Sequence, residues 1–236
     1  MWNAAEKTAF LEQGYYHAPA VLSGKYLEAV QAAFDQVWET EGPPVNQLKL
    51  LKHPVFIDLI EHPPILERQR AIFGHQTQLL QYDLLRQGPH SNTPERSWHR
   101  DFAFPGDYPL SINTILYLDE MTAERGPTFV VPGSHRGTAQ PPVEQRHQPL
   151  ADELAVYAQP GDAVFINSAI WHSGGCNTTG GLRRGIYLYY GYWWLKRYEF
   201  DRPLPWQALQ NAGEQRLRLL GVKMPAWDLH QYTPDA

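Results

Sequence analysis

The chain has 236 residues, a formal net charge of -5 and a single cysteine, with 43% hydrophobic, 13% aromatic and 19% charged residues. That balance belongs to a folded globular protein rather than a disordered one, and the mildly acidic charge gives nucleic acid no electrostatic footing. Cys176 alone cannot form an internal disulfide, no apolar run approaches the ~20 residues of a membrane span, and Met1-Trp2-Asn3 followed by Glu6 does not read as a signal peptide, so a cytoplasmic protein with neither membrane nor nucleic acid as partner is expected; nothing here sets the oligomeric state.

Residues 4–13 place Ala4, Ala5, Phe10 and Leu11 among charges, which predicts a helix closed by Gly14, with Tyr15–Pro19 extended after it. Ser23 is a credible N-cap for a helix over 24–40, where Tyr26, Leu27, Val30, Ala33, Phe34 and Val37 recur at three-and-four spacing until Gly42-Pro43-Pro44. His53–Phe73 reads as two short helices broken at Pro63-Pro64. Short strands are then expected at 79–86, 97–102, 110–118, 127–131, 154–157, 163–166, 169–173 and 183–194. A turn-rich loop over 88–94, a polar excursion over 138–150 and a final helix over 204–220 complete the pattern. About eight strands after a helical third suit an all-β sandwich or barrel better than βαβ units. One domain is expected over 1–236: a helical part to about 78, a barrel over about 79–195, and a helical tail over about 196–236.

The chemistry-bearing stretch is Trp98-His99-Arg100-Asp101. On an extended segment, residues two apart face the same way, so His99 and Asp101 can act together. With His172 they make two imidazoles and one carboxylate, the donor set of a non-haem Fe(II) oxygenase. Two plainer readings stand beside it: a surface hydrogen bond for His99–Asp101, and a core histidine bonded to a carbonyl for His172. On strand 183–194 alternation groups Arg183, Gly185, Tyr187 and Tyr189 on one face and Arg184, Ile186, Leu188 and Tyr190 on the other. An inward Arg183 would need an anion, because a buried unpaired charge is costly. A small dicarboxylate that chelates a metal at one end would meet the planar guanidinium at the other. The alternatives are a protein carboxylate as partner, or Arg184 as the inward residue.

Five stretches then resemble the phytanoyl-CoA dioxygenase family of Fe(II)- and 2-oxoglutarate-dependent oxygenases: Phe10 to Leu22 (FLEQGYYHAPAVL), Trp98 to Phe102 (WHRDF), Arg125 to Gly137 (RGPTFVVPGSHRG), Pro160 to Phe165 (PGDAVF) and His172 to Gly185 (HSGGCNTTGGLRRG). The resemblance implies a mainly β fold with flanking helices, a double-stranded β-helix of the jelly-roll, cupin-like barrel type. It implies iron on His99, Asp101 and His172, and the far carboxylate of 2-oxoglutarate on Arg183, with Gln81, Asn113 and Ile115 as further cosubstrate contacts. Asn177 and Thr178 follow the family's polar pattern and shape a turn, while His135 in Pro-Gly-Ser-His reads as structural.

The activity so implied consumes dioxygen and 2-oxoglutarate, releases succinate and CO2, and oxidises an unactivated C–H bond of a small-molecule metabolite. Related halogenases carry a small residue in place of the carboxylate ligand, so Asp101 argues for hydroxylation or desaturation. Phe102, Phe104, Tyr117, Tyr187 and Tyr189 are candidate substrate walls, with loops 88–97 and 138–150 as candidate lids. Two other readings stay open: a non-catalytic small-molecule binding barrel, and a cupin-type metalloenzyme that does not use 2-oxoglutarate.

Overall fold

The computed structural model describes residues 2–102, 104, 106 and 108–224. Helix α1 (Ala4–Gln13) opens the chain under a reciprocal cap in which Asn3 accepts from the Glu6 amide and Glu6 accepts from the Asn3 amide. It ends at Gly14, whose φ of 80° and bond to the Phe10 carbonyl make the expected left-handed stop. β1 (Tyr15–Ala18), α2 (Gly24–Glu41), β2 (Val45–Asn46), α3 (Gln47–Leu50), α4 (Pro54–Leu59) and α5 (Pro63–Phe73) follow. The strands of the main body are β3 (Thr77–Gln87), β4 (Ser111–Tyr117), β5 (Thr128–Val131), β6 (Leu154–Val156), β7 (Ala163–Asn167), β8 (Trp171–Gly174) and β9 (Arg183–Tyr192), before α6 (Trp206–Leu209) and α7 (Glu214–Leu219).

Two antiparallel sheets result, one ordered β1-β7-β4-β9-β3-β2 and one ordered β6-β5-β8. They are two facing ladders, not a closed barrel, which is the double-stranded β-helix arrangement. The larger sheet is buried on both faces. Its outer face, with Tyr82, Leu84, Ile112, Phe165, Leu188 and Tyr190, packs under Phe10, Phe34, Phe56, Ile65 and Ile72 of the helices. Its inner face meets the small sheet through Ile115, Val164 and Ile166 against Val130 and Val156. Each strand of the larger sheet therefore alternates between a helix-covered row and a row facing its partner sheet.

Register lines up the inner face. Gln81 pairs Tyr189, which pairs Asn113; Asp83 pairs Tyr187, which pairs Ile115; Gln87 pairs Arg183. A bulge at Leu80 sets this parity on β3, and the freed Leu80 carbonyl accepts from the Tyr198 amide at 2.7 Å. The bulge thus draws residues 198–199 toward the inner face.

Three expectations need correction. The stretch 97–102 makes no strand: one bridge, His99 to His172, is all that pairs it, because its other amides turn to separate partners, Trp98 to the Arg146 carbonyl, Phe102 to the Ser168 carbonyl and Ser97 to the Ser173 hydroxyl, instead of one ladder. The helical first third also lends β1 and β2 to the edges of the larger sheet, so the sheets do not begin at residue 79. The single helix over 204–220 is two short ones, broken where Asn211 takes φ 54° before Gly213. Residues 225–236 of the expected tail lie outside the described residues. No helix among the described residues is long and apolar enough to cross a membrane.

Candidate metal centre and its cavity

His99 and His172 are locked together by their backbones, each amide donating to the other's carbonyl at 3.1 and 3.0 Å. Neighbouring bonds pin the segment: Ser97 N donates to Ser173 Oγ at 2.7 Å, Trp98 Nε1 to the Gln148 carbonyl at 2.9 Å, and Phe102 N to the Ser168 carbonyl at 2.9 Å. The imidazoles end 4.2 Å apart between centroids. Asp101 Oδ1 is 3.7 Å from His99 Nε2 and 3.6 Å from His172 Nε2. One donor atom from each of the three residues fits within 4.8 Å of the others.

Each ring has its other nitrogen occupied. His99 Nδ1 is 2.7 Å from the Ser97 carbonyl and His172 Nδ1 is 3.1 Å from the Ile170 carbonyl. A carbonyl only accepts, so Nδ1 carries the proton and Nε2 turns a lone pair toward Asp101. Burial holds the His172 imidazole below its ordinary pKa, the Asp101 charge works against that and His99 adds to it, which favours the neutral, ligating form. Asp101 Oδ2 is buried without a hydrogen-bond partner among the described residues. Two lone pairs and a carboxylate converge there, with the Tyr189 phenol as the donor beside Asp101, and a cation that joins them relieves their mutual repulsion. The donor set suits Fe(II).

Behind the histidines opens a cavity of about 670 Å³, into which His99, His172, Asn113, Ile115, Tyr187 and Arg183 project. Arg183 is 3% exposed. Its Nε donates to the Gly126 carbonyl at 2.7 Å, while Nη2 is buried and has no hydrogen-bond partner among the described residues. The Gly126 carbonyl reaches it because two glycines cross there. Gly126 has φ 72°, and a Cβ on it would come within 2.5 Å of the Gly175 carbonyl oxygen. Gly174 leaves space beside the guanidinium, since its missing Cβ would stand 3.6 Å from Arg183 Nη2. Arg184 points away and pairs with Asp119 at 2.7 Å and Asp35 at 2.8 Å. The alternation reading of strand 183–194 therefore describes the molecule.

The remaining candidates separate. Gln81, Asn113, Ile115, Tyr187 and Tyr189 line the main cavity. Phe102, with Asp101 and Tyr189, lines an adjoining depression of about 540 Å³. Tyr117 is corrected to core: it is fully buried and bonded to the Thr128 hydroxyl, which removes it from the cavity wall. Phe104 is corrected to surface: at 66% exposed it lines neither cavity. Burial pushes the Tyr189 phenol far above its ordinary value, with the Asp101 charge adding to the rise. Asn177 bonds the Gly88 and Gly181 carbonyls and shapes its turn. His135 is held at the Leu11 carbonyl, packed on Gly14. The 138–150 excursion is tied down by Trp98 and by Arg100, which donates to the Ala139 carbonyl at 2.7 Å.

Three charged residues of the cavity lining were not foreseen, Asp83, Glu199 and Arg202. Asp83 stands two places after Gln81 on the same face, so the alternation that picked Gln81 also picks Asp83. Glu199 carries no such signal, since the Leu80 bulge brings it in from a loop.

Comparison with known proteins gives one consistent picture. The family model for phytanoyl-CoA dioxygenase (PhyH) matches residues 10–185. The dioxygenase andF of Emericella variicolor is 34% identical over 128 residues, 53% of this chain and 41% of that protein. The dioxygenase trt7 of Aspergillus terreus is 33% identical over 101 residues, 39% of this chain and 34% of its own length. The chain thus spans less than half of these two curated relatives. Among solved structures, the non-haem alpha-ketoglutarate-dependent carbocyclase SnoK from nogalamycin biosynthesis superposes with a TM-score of 0.67 at 26% identity, over 81% of this chain and 84% of that one. HygX from Streptomyces hygroscopicus, solved with nickel and 2-oxoglutarate, gives 0.72 at 18% identity, over 84% and 90%, which shows a shared fold.

Proposed function

The chain belongs to the phytanoyl-CoA dioxygenase family, and from that premise we propose that it is an Fe(II)- and 2-oxoglutarate-dependent oxygenase that hydroxylates an unactivated C–H bond of a small-molecule metabolite. One observation carries the reading: the two histidines of a two-histidine, one-carboxylate cluster line the same cavity as a buried guanidinium whose Nη2 has no hydrogen-bond partner among the described residues. A non-catalytic binder has no use for an open metal position, and an enzyme without 2-oxoglutarate has no dicarboxylate to satisfy Arg183.

His99 and His172 would hold the iron through Nε2, the nitrogen that their local bonds leave free, and Asp101 through the carboxylate that faces both. With dioxygen and 2-oxoglutarate, the bound iron supplies the oxidation of the C–H bond, with release of succinate and CO2. Arg183 takes the far carboxylate, and its bond to the Gly126 carbonyl fixes the plane of the fork. Asn113, Gln81 and Ile115 flank the cosubstrate, the first two through polar side chains and the third by shape. Tyr187 and Tyr189 form the wall between β3 and β4, and Phe102 belongs to the substrate side. Asp101 occupies the position that a halide would need, which favours hydroxylation. We read residues 1–236 as one domain, because the helices supply the cover for the outer face of the larger sheet.

The test is anaerobic loading with Fe(II) and 2-oxoglutarate, followed by oxygen and measurement of succinate across a panel of metabolites, with mass analysis of the product. Substrate-stimulated succinate and a product heavier by one oxygen support the proposal. Dehydrogenated product alone would move it to desaturation, and succinate-free turnover would end it.

A further inference from the structure

Arg183 is at one end of the main cavity; at the other are two carboxylates that the metal chemistry does not use, with Arg202 on the same wall paired to one oxygen of Glu199. Asp83 is four residues along β3 from Gln87, the cross-strand partner of Arg183, or about 13 Å at the rise of an extended chain. Its sole hydrogen-bond partner among the described residues is the Gln81 amide, at 2.5 Å, and no Lys or Arg pairs with it there. Burial lifts the Asp83 carboxyl to about 6, the Gln81 amide works against the rise, and Glu199 adds to it. Glu199 is held in place by strain and bonding together. It takes φ 54°, where non-glycine residues are uncommon, and its Oε1 accepts from Asn46 Nδ2 at 3.1 Å and from Arg202, 64% exposed, at 3.3 Å. Its Oε2 is buried with no partner among the described residues.

An independent observation points to a hydrogen-bond donor arriving in this space. Asn113, 1% exposed, lines the same cavity, one strand beyond Tyr189 from Gln81, and its Oδ1 is buried without a partner among the described residues. A dicarboxylate cosubstrate donates no hydrogen bond, so it cannot satisfy that oxygen. Two carboxylates, an orphan amide oxygen, and the rings of Tyr187, Tyr189 and Tyr198 form a wall that accepts hydrogen bonds and attracts positive charge.

We propose that Asp83 and Glu199 form the substrate-anchoring subsite of this cavity and that they take a protonated amine, so that the oxidised metabolite is an amine-bearing small molecule. This rests on the oxygenase reading for the identity of the ligand as substrate, but the binding preference itself does not depend on turnover.

The test measures binding to the full chain by calorimetry, with ring compounds supplied as matched pairs, benzylamine with benzyl alcohol and cyclohexylamine with cyclohexanol, each with and without Fe(II) and 2-oxoglutarate under anaerobic conditions. The expected result is an amine preference of about tenfold or more, the scale of one charge-assisted hydrogen bond. That preference should fall to about twofold or less in Asp83→Asn and in Glu199→Gln, each of which keeps side-chain volume. Equal binding of amine and alcohol, no binding of any amine, or a preference that survives both substitutions would overturn the subsite. Failure of the oxygenase reading looks different: wild-type protein would not bind 2-oxoglutarate in an Fe(II)-dependent manner, whatever its taste for amines.

Discussion

Replacing Arg183 by methionine removes the buried guanidinium and keeps an unbranched side chain of similar reach. Ligand-free, the wild-type group donates to the Gly126 carbonyl, has the Tyr187 phenol beside it, and keeps an orphan Nη2 among the described residues. Removing a charge that is buried and poorly satisfied leaves the folded state no worse by more than about 1 kcal/mol, and can stabilise it. With 2-oxoglutarate the sign reverses, because the far carboxylate would then be buried facing a thioether. Losing one partner of a buried charge pair costs about 2–5 kcal/mol, so the affinity should fall by roughly 30-fold to several thousandfold. Thermal unfolding reads both halves. At a cosubstrate concentration of about 100 Kd the wild type gains ~2.7 kcal/mol by mass action. That corresponds to roughly 5–10 °C for a chain of this size. The variant should melt within about 3 °C of ligand-free wild type, keep the shift that Fe(II) alone gives, and gain no more than about 3 °C further from 2-oxoglutarate. A variant that keeps the full 2-oxoglutarate shift, or one that unfolds many degrees lower without ligand, would refute the reasoning and make Arg183 an ordinary structural arginine.

Arg184→Ala should do the opposite. It breaks the network with Asp119 and Asp35, costs about 1–2 kcal/mol in denaturant unfolding, and leaves 2-oxoglutarate affinity as it was. Gly126→Ala combines a φ of 72° with a Cβ placed 2.5 Å from the Gly175 carbonyl oxygen, and neither backbone can give way. We expect a loss above about 3 kcal/mol or no soluble protein, read by denaturant unfolding and yield. For Asp83 the sign runs against the usual carboxylate. Its folded pKa of about 6 is raised above the ordinary 3.8, so the folded state binds the extra proton and loses stability as pH rises through that window. Asp83→Asn should therefore raise the melting temperature of the ligand-free protein at pH 7.5 and flatten its pH dependence between about 4 and 6. Equal pH profiles for the two proteins would contradict the burial of that charge.

How much of this was legible depends on how local each cause is. Helices α1, α2, α4 and α5 follow from caps, prolines and three-and-four spacing, all carried by near neighbours. The pairing of His99 with Asp101 is visible because period two survives in any extended segment, even one held by a single bridge rather than a ladder. Strand parity separated Arg183 from Arg184 for the same reason. Parity alone could not separate Tyr117 from Tyr187 and Tyr189, which all face inward. Tyr117 is taken out of the cavity by the Thr128 hydroxyl on the opposing sheet, a contact between residues whose strands meet only in three dimensions. Asp83 was within reach of the alternation that found Gln81. Glu199 was not, because its position depends on a bulge at Leu80 and one backbone bond across more than a hundred residues.

Iron content is the most direct measurement of the central claim. Protein loaded anaerobically with Fe(II), freed of unbound metal by gel filtration and analysed by mass spectrometry, should retain a single ferrous ion per chain. His99→Ala, Asp101→Ala and His172→Ala should each retain almost none while unfolding cooperatively like the wild type. Iron held equally well by Asp101→Ala, or none held by the wild type, would contradict the account at its root.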